Sequence, residues 1–381
     1  MIQQKICIIG NGMAGLTTAV ILSKQNISID LYCGKKNKNN ILDNRTTAIS
    51  ESNFQYIKNS LNLNKTHFFW TCKKISLFFE ENKKIINFLN FDKNKKNFMY
   101  IFQNKDLKKQ LDKIILKKNN INLIKKNIDD IYSSEGFVIS AGKKKFYDLI
   151  ILSTGGSSKF YSKIEAGRSI TKNYEEVAIT SIVSHNTKIE NPSQFFLKEG
   201  PLAVLPFQKN KFSIVWSVSN NYFKINNHNL KKILSNKLKI LLNIKKIKDI
   251  QNVQSFPIYL NLKTKYFKKN ILILGDGLHT VHPIAGQGFN LVIRDIRQLA
   301  KLMSKISKLG LLFKDSLLLR DFYNTRKSEN NLFGLGINLT NLFFKHNKYL
   351  SLVKNKIISN VKNFNFIKKT SQLIADKGIL P

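Results

Sequence analysis

The chain has 381 residues, 43% of them hydrophobic, enough for a sizeable buried core and two interleaved domains, and too apolar for a disordered polymer. Its formal net charge is +39, yet 6 of the 63 basic residues are arginine and the rest lysine, and Lys, Asn, Ile and Phe are inflated together, which marks compositional drift and not a binding patch. No nucleic-acid module is recognisable, so a nucleic-acid partner is not expected.

No apolar run reaches the ~18–20 residues that cross a bilayer. The N-terminus reads as a strand and not as a secretory signal. Cys7, Cys33 and Cys72 are scattered and form neither a disulfide framework nor a metal-ligand spacing. The expected location is a reducing cytoplasm, with peripheral contact to the inner face of the cytoplasmic membrane.

In chain order, Lys5 to Ile9 is a short apolar strand and Leu16 to Leu22 an apolar helix face. Between them stands Gly10-x-Gly12-x-x-Gly15. Gly10 permits the tight turn, Gly12 lets a pyrophosphate approach the backbone, and Gly15 lets helix and strand pack closely. With Met13 and Ala14, these residues are the candidate phosphate-binding turn at a helix N-terminus. The second strand, Ile27 to Cys33, should end in an acidic residue for a ribose hydroxyl. Cys33 stands there, and Asp30 lies three residues early.

A helix is expected after Arg45, then alternating strands over 71–96, a basic helix over 104–118, and strands at 121–124, 137–140 and 147–152. Residues 173–265 are strand-rich, interrupted by a helix over 229–244. A strand over 271–274 returns to the first domain, and helices dominate from Gly288 onward. The fold class is α/β: a Rossmann-like cofactor domain built from separated segments (1–70, 97–172 and 266–340), an inserted, mostly β substrate domain (71–96 and 173–265), and a helical C-terminus (341–381). A pocket between the domains is the expected active site.

The strand over 271–274 delivers the most informative stretch, Gly275-Asp276-Gly277 through His282-Pro283-Ile284-Ala285-Gly286-Gln287-Gly288-Phe289-Asn290. Asp276, at the carboxyl end of a parallel strand, suits a ribityl or ribose chain. Pro283, Gly286, Gln287 and Gly288 allow backbone close to a flat ring. A helix starting near Gly288 aims its positive end at charge developing there. Two glycine-rich turns, one early and one late, imply a large cofactor held at both ends: FAD. His279 and His282 lack the companions a metal site needs, so no metal is expected. His282, before Pro283, reads as a loop residue, and Arg294-Asp295 as a local charge pair.

These motifs resemble those of the aromatic-ring flavoprotein monooxygenases of the para-hydroxybenzoate hydroxylase fold, and more narrowly their ubiquinone-biosynthesis branch. The likeness rests on Gly10–Gly15, on Asp43-Asn44-Arg45-Thr46-Thr47-Ala48-Ile49-Ser50, on Gln194-Phe195-Phe196 with Gly200-Pro201-Leu202-Ala203, and on Gly275–Asn290. The resemblance implies that Arg45 approaches the flavin, that Asp276 binds the ribityl chain, and that Pro283 to Asn290 line the ring. Gly275, Phe289 and Asn290 are thereby included among the cofactor-binding residues. It implies a reaction in which NADPH or another donor reduces FAD. Dioxygen, as co-substrate, then gives a flavin hydroperoxide that hydroxylates a polyprenylated phenol. A catalytic base is not assigned, because the flavin carries the chemistry.

The chain departs from the family's Ala-Asp-Gly-x-x-Ser-x-x-Arg motif, which maps onto Ser153 to Tyr161 with Thr154 for the acid and Tyr161 for the arginine. With Cys33, this opens the alternative of an FAD oxidoreductase of the same fold with an altered donor or lost hydroxylation; the net charge of +39 separately raises a basic flavoprotein that binds RNA, against which the basic residues are dispersed. Asn341 to Lys369 mixes apolar residues with seven lysines. It reads either as a helix at an anionic membrane surface or as a packed C-terminal helix. Other ubiquinone-biosynthesis proteins are expected partners. Phe195, Phe196, Phe207 and Trp216 are candidates for an apolar pocket or for core.

Overall fold

The computed structural model describes residues 3–34, 43, 45–92, 97–156, 158–164, 169–283, 286–314 and 316–344. The strand β1 (Gln4–Ile9) is apolar along nearly its whole length because both of its faces are covered. It lies between β2 (Ile27–Tyr32), followed by β8 (Ile121–Ile124), and β12 (Leu149–Leu152), followed by β19 (Ile271–Ile273) and β18 (Phe267–Lys268). Five of these six strands are parallel, and β18 is an antiparallel edge. The helices α1 (Met13–Leu22), α3 (Asn104–Ile115) and α6 (Gly288–Lys308) join this sheet in one core. In α6 the buried Phe289, Val292, Ile296, Leu299, Met303 and Ile306 recur at helical spacing and form a single inward stripe. The small antiparallel sheet of β9 (Asp130–Tyr132), β10 (Phe137–Ser140) and β11 (Lys143–Phe146) adds Ile131 and Val138 to that core.

The second large sheet has eight strands in the order β20-β17-β13-β16-β15-β14-β5-β6. They are β5 (Lys74–Glu81), β6 (Lys84–Asp92), β13 (Ser169–His185), β14 (Ser193–Leu197), β15 (Gly200–Gln208), β16 (Lys211–Ser219), β17 (Ile247–Lys263) and β20 (His279–Thr280). Side chains alternate across it with period two. Phe212, Ile214, Trp216 and Val218 of β16 share a core with Leu230, Leu234 and Leu238 of α5 (Leu230–Leu242), next to the short α4 (Asn220–Asn226). A third sheet, β3 (Thr46–Ser50), β7 (Met99–Gln103) and β4 (Trp70–Cys72), is followed on its first strand by α2 (Glu51–Leu61). The chain is therefore α/β with a β-rich second part, as expected, and the helical C-terminus is α7 (Ser316–Phe344). The rest of the expected 341–381 tail lies outside the described residues. The 17-residue β17 is longer than the pattern implies, because much of its Ile247–Ser255 half is polar and exposed.

The sheets are joined by very little chain. β19 ends at Ile273 in the first sheet, and β20 begins at His279 in the second. What holds this junction against the helices is a buried ionic cluster. His279 Nε2 lies 2.6 Å from Asp295 Oδ2, and Arg326 Nε of α7 donates to Asp295 Oδ1 at 2.6 Å. Asn330 joins both Asp295 and Arg326, and Glu329 pairs with Arg326 and Arg294. The expected Arg294–Asp295 pair does not form. Consecutive helix residues point away from each other, so adjacency in sequence is not contact.

Burial by itself raises the pKa of Asp295, but Arg326 and His279 more than reverse this, and the net shift is downward. Its contribution to stability is therefore full above the unfolded carboxylate value of about 3.9 and is lost as pH falls through the lower folded value. Asp295→Ala, which deprives Arg326 and His279 of their shared carboxylate, should cost about 3–5 kcal/mol in urea unfolding at neutral pH. The gap between the variant and the parent should narrow as the pH is taken below about 4.

Candidate functional site

Three segments distant in sequence meet at the carboxyl ends of the parallel strands. In the first, Gly10 has φ +126° and its N–H donates to Tyr32 O at 3.0 Å. A Cβ there would lie 2.2 Å from Ser153 O, and one on Gly15 would lie 2.1 Å from Gly10 O. Both positions need glycine for close packing. Gly12 differs, because a Cβ there would meet nothing within 4 Å. It is the N-cap of α1, and no side chain caps the helix. The first N–H groups of α1 thus face open space beside the half-buried Met13 and Ala14, an arrangement suited to an anion.

The second segment is the late motif. Gly275 has φ +85°, and a Cβ on it would lie 2.9 Å from the Cβ of Ala14. The two glycine-rich turns therefore touch. Asp276 is exposed in the single turn Gly275–Gly277, and Thr280 Oγ1 donates to its carbonyl at 2.9 Å. The third segment, Arg45 to Ser50, is held to the late motif by Asn290. Asn290 Nδ2 donates to Ala48 O (3.0 Å) and Gly286 O (3.3 Å), while its Oδ1 accepts from Ser50 N (3.0 Å) and Asn53 Nδ2 (2.8 Å). Gly286, at φ +63°, leaves room for Ala48, whose Cβ would be 3.4 Å away from a Cβ on Gly286. Phe289 is buried in the core. Gln287 is the N-cap of α6, whose start at Gly288 also lacks a side-chain cap. Arg45 donates from Nε to Asp43 Oδ1 (2.8 Å) and from Nη2 to Asp43 Oδ2 (2.9 Å), and it lies 5.3 Å over the Phe256 ring. The bond to Asp43 and the charge of Asp276 both raise the Arg45 pKa. Asn44, Ile284 and Ala285 lie outside the described residues.

Beside this junction is a cavity of about 450 Å³. Arg45, Thr46, Ala48, Pro283, Gly286 and Gln287 form one wall, and Thr180, Ala203, Val215, Gln254, Phe256 and Tyr259 of the large sheet form another. Ile75, Leu77, Phe91, Phe98, Phe196 and Phe344 supply a mainly apolar remainder. Among the described lining residues there is no Asp, Glu or His. Of the four expected aromatics only Phe196 lines the cavity. Phe195 and Trp216 belong to the α5 side of the sheet, and Phe207 packs with Cys72 and Met99. Thr180, Gln254, Tyr259 and Phe344 carry no motif. Only the alternation along a strand correctly placed on β17 would have indicated Gln254.

The departures have structural explanations. Asp30 is not available to a ribose, because it accepts from Tyr147 Oη (2.7 Å) and Asn122 Nδ2 (3.0 Å) and lies 3.4 Å from Lys5 Nζ. Thr154 and Tyr161 touch each other. Thr154 Oγ1 donates to Tyr161 Oη at 3.1 Å, and that hydroxyl donates to Gly155 O at 2.5 Å. Burial pushes the Tyr161 phenol up to about 12, so the pair is neutral. His282 lies outside helix and strand, as expected of a loop residue. It is fully buried, with Nε2 3.0 Å from Glu176 Oε2.

A family described as a FAD binding domain matches residues 156–309. Residues 156–309 thus match a FAD-binding domain, and the cofactor this match supports is FAD. It is 25% identical over 269 residues to the mitochondrial ubiquinone biosynthesis monooxygenase COQ6 of Dictyostelium discoideum, covering 58% of this chain and 54% of that protein. To 3-demethoxyubiquinol 3-hydroxylase of Escherichia coli strain K12 it is 24% identical over 200 residues, covering 52% and 51%. The chain thus spans about half the length of these curated relatives. The structure of p-nitrophenol 4-monooxygenase PnpA from Pseudomonas putida DLL-E4 superposes with a TM-score of 0.78 over 97% of each chain at 12% identity, which is a likeness of fold.

The residues present fit the cofactor: an uncapped helix start, an open Gly12, and glycine at each point of close approach. Gly12→Val should leave thermal stability of the apoprotein within the range of a neutral surface change, about 0.5 kcal/mol. It should weaken FAD binding at least ~100-fold by blocking approach to the α1 amides, as measured by flavin fluorescence titration.

Proposed function

We propose that this protein is an FAD-dependent monooxygenase that hydroxylates the ring of a polyprenylated phenol in ubiquinone biosynthesis, with NADPH as donor and dioxygen as co-substrate. The observation that carries this reading is the apolar cavity bounded on one wall by the proposed cofactor segments and lacking, among its described lining residues, Asp, Glu and His. Such a site suits chemistry supplied by the cofactor, with the protein orienting the ring and excluding water. The names of the curated relatives support the substrate class.

In this reading the turn Gly10, Gly12, Met13, Ala14 and Gly15 holds the pyrophosphate, and Gly275 and Asp276 take the ribityl side. Arg45, Pro283, Gly286, Gln287 and Gly288 face the ring, with Phe289 and Asn290 fixing that segment from behind. Bound FAD, once reduced, supplies the activation of dioxygen. Thr180, Gln254 and Tyr259 are the hydrogen-bonding groups that orient a phenol in the cavity.

The neutral Thr154–Tyr161 pair favours a second reading, an oxidoreductase of this fold with a different donor or without hydroxylation. Aerobic incubation of the FAD-loaded protein with NADPH and a short-tailed polyprenyl phenol decides between them. The expected result is NADPH oxidation with a product heavier by one oxygen atom. Bound flavin with neither NADPH consumption nor product would establish the second reading.

A polyprenyl tail would need an apolar route out. Thr340 and Phe344 of α7 line the cavity, and outward-facing Leu332, Leu335, Leu339, Leu342 and Phe343 are 36–64% exposed on one face of the same helix. No helix of the described residues is long and apolar enough to cross a membrane. This face, followed in sequence by lysine-rich residues 345–369, is our candidate for peripheral contact with an anionic membrane and the pathway proteins there. Leu335→Asp with Leu339→Asp should reduce co-sedimentation with phosphatidylglycerol vesicles several-fold while leaving FAD binding unchanged. Equal sedimentation of parent and variant would remove the membrane assignment.

A further inference from the structure

The strand β13 is irregular where it passes His282. Asn173 pairs with Tyr259 and Glu176 with the neighbouring Ile258, so Tyr174 and Glu175 are extra residues on β13. Glu175 has φ +54°, a left-handed conformation uncommon outside glycine, and its N–H donates to Asn173 Oδ1 at 3.0 Å. The bulge leaves Glu175 exposed and Tyr174 and Glu176 buried. Glu176 is 6% exposed and faces Ile258 of β17 in register. Its Oε2 is 3.0 Å from Nε2 of the fully buried His282. Tyr174 meets the His282 ring edge-on at 5.2 Å and donates to Asn338 Oδ1 of α7 at 3.1 Å.

Burying a carboxylate is unfavourable without a compensating partner, and the left-handed Glu175 is a second local strain. Both features converge on His282. One peptide bond separates His282 from Pro283, which borders the cavity together with Gly286 and Gln287. The chemistry proposed above uses neither His282 nor Glu176.

We propose that Glu176 and His282 are a positioning pair that anchors the backbone entering Pro283, so that the ring-facing wall is formed before FAD binds. Glu176 belongs to β13 of the large β-sheet, and His282 stands in the late motif two residues beyond β20 of the same sheet. The proposal rests on the assignment of FAD to this site.

The test is a fluorescence titration of apoprotein with FAD, alongside thermal unfolding of the same samples and the visible spectrum of the bound flavin. Glu176→Ala should weaken FAD binding at least tenfold and shift the flavin absorbance bands. Glu176→Gln, whose amide oxygen can still accept from His282, should bind within threefold of the parent and with its spectrum. Glu176→Asp, one methylene shorter, keeps the charge but loses the bond; it should resemble the alanine variant, and it carries the test if that variant does not fold. Alanine or aspartate variants that bind within threefold of the parent would overturn the proposal. So would a folded Glu176→Gln variant as weak as Glu176→Ala. A parent protein that binds no FAD would overturn the cofactor assignment and the proposal with it, a result distinct from losses confined to the variants.

Discussion

The close approach of Gly275 to Ala14 is the constraint on which the rest of the structure depends. It brings the end of β19 against the first turn of α1, and with it the two glycine-rich turns of the proposed cofactor site. A side chain larger than hydrogen at Gly275 would fall within 2.9 Å of the Ala14 methyl while also requiring φ +85°. Gly10 and Gly15 impose the same kind of demand one layer below, against the backbone of Ser153 and of Gly10 itself. Close packing at these three points brings the uncapped start of α1 against the turn that carries Asp276. The open face at Gly12 is then the opposite case, a glycine whose missing side chain leaves space for a ligand and not for the protein.

Asn290 and Asp295 perform complementary tasks on the same helix. Asn290 uses both ends of its amide to tie β3 and α2 to the turn at Gly286, so that Arg45 is carried to the cavity wall. Asp295 faces away from that contact and binds His279 and Arg326, fixing the crossover between sheets to α7. One helix thus orders the cofactor wall on one side and the domain junction on another. Asn290 satisfies both ends of its own amide, which fixes the orientation of that side chain.

Much of this was legible in the sequence where a residue type has few structural alternatives. Glycines at positive φ, apolar runs such as Leu149–Leu152, and the Asp-Gly turn after a strand each admit few readings. The cavity was not legible, because Thr180, Gln254 and Tyr259 are ordinary strand residues whose meaning comes from the face they occupy. Charges were the least legible. Arg294 and Asp295 are neighbours in the chain but point to different partners, and His282 finds its carboxylate 106 residues away. Ion pairs depend on tertiary placement, which neither periodicity nor spacing encodes.

The Thr154–Tyr161 pair shows how a motif can lose its charges and keep its geometry. Tyr161 Oη bonds Thr154 and Gly155 O, and Gly277 is without a side chain where a Cβ would collide with that same hydroxyl at 1.9 Å. The phenol therefore fills a space between the central turn and the late motif, and Gly277 accommodates it. A neutral bridge avoids the desolvation cost of a buried ion pair, but it removes a fixed cation from beside the cofactor segments. Arg45, held by Asp43 at the cavity wall, is the sole charged side chain among the described residues lining the cavity. In the proposed reading, the electrostatic work that an arginine in the central motif would share falls on Arg45 and on the uncapped starts of α1 and α6.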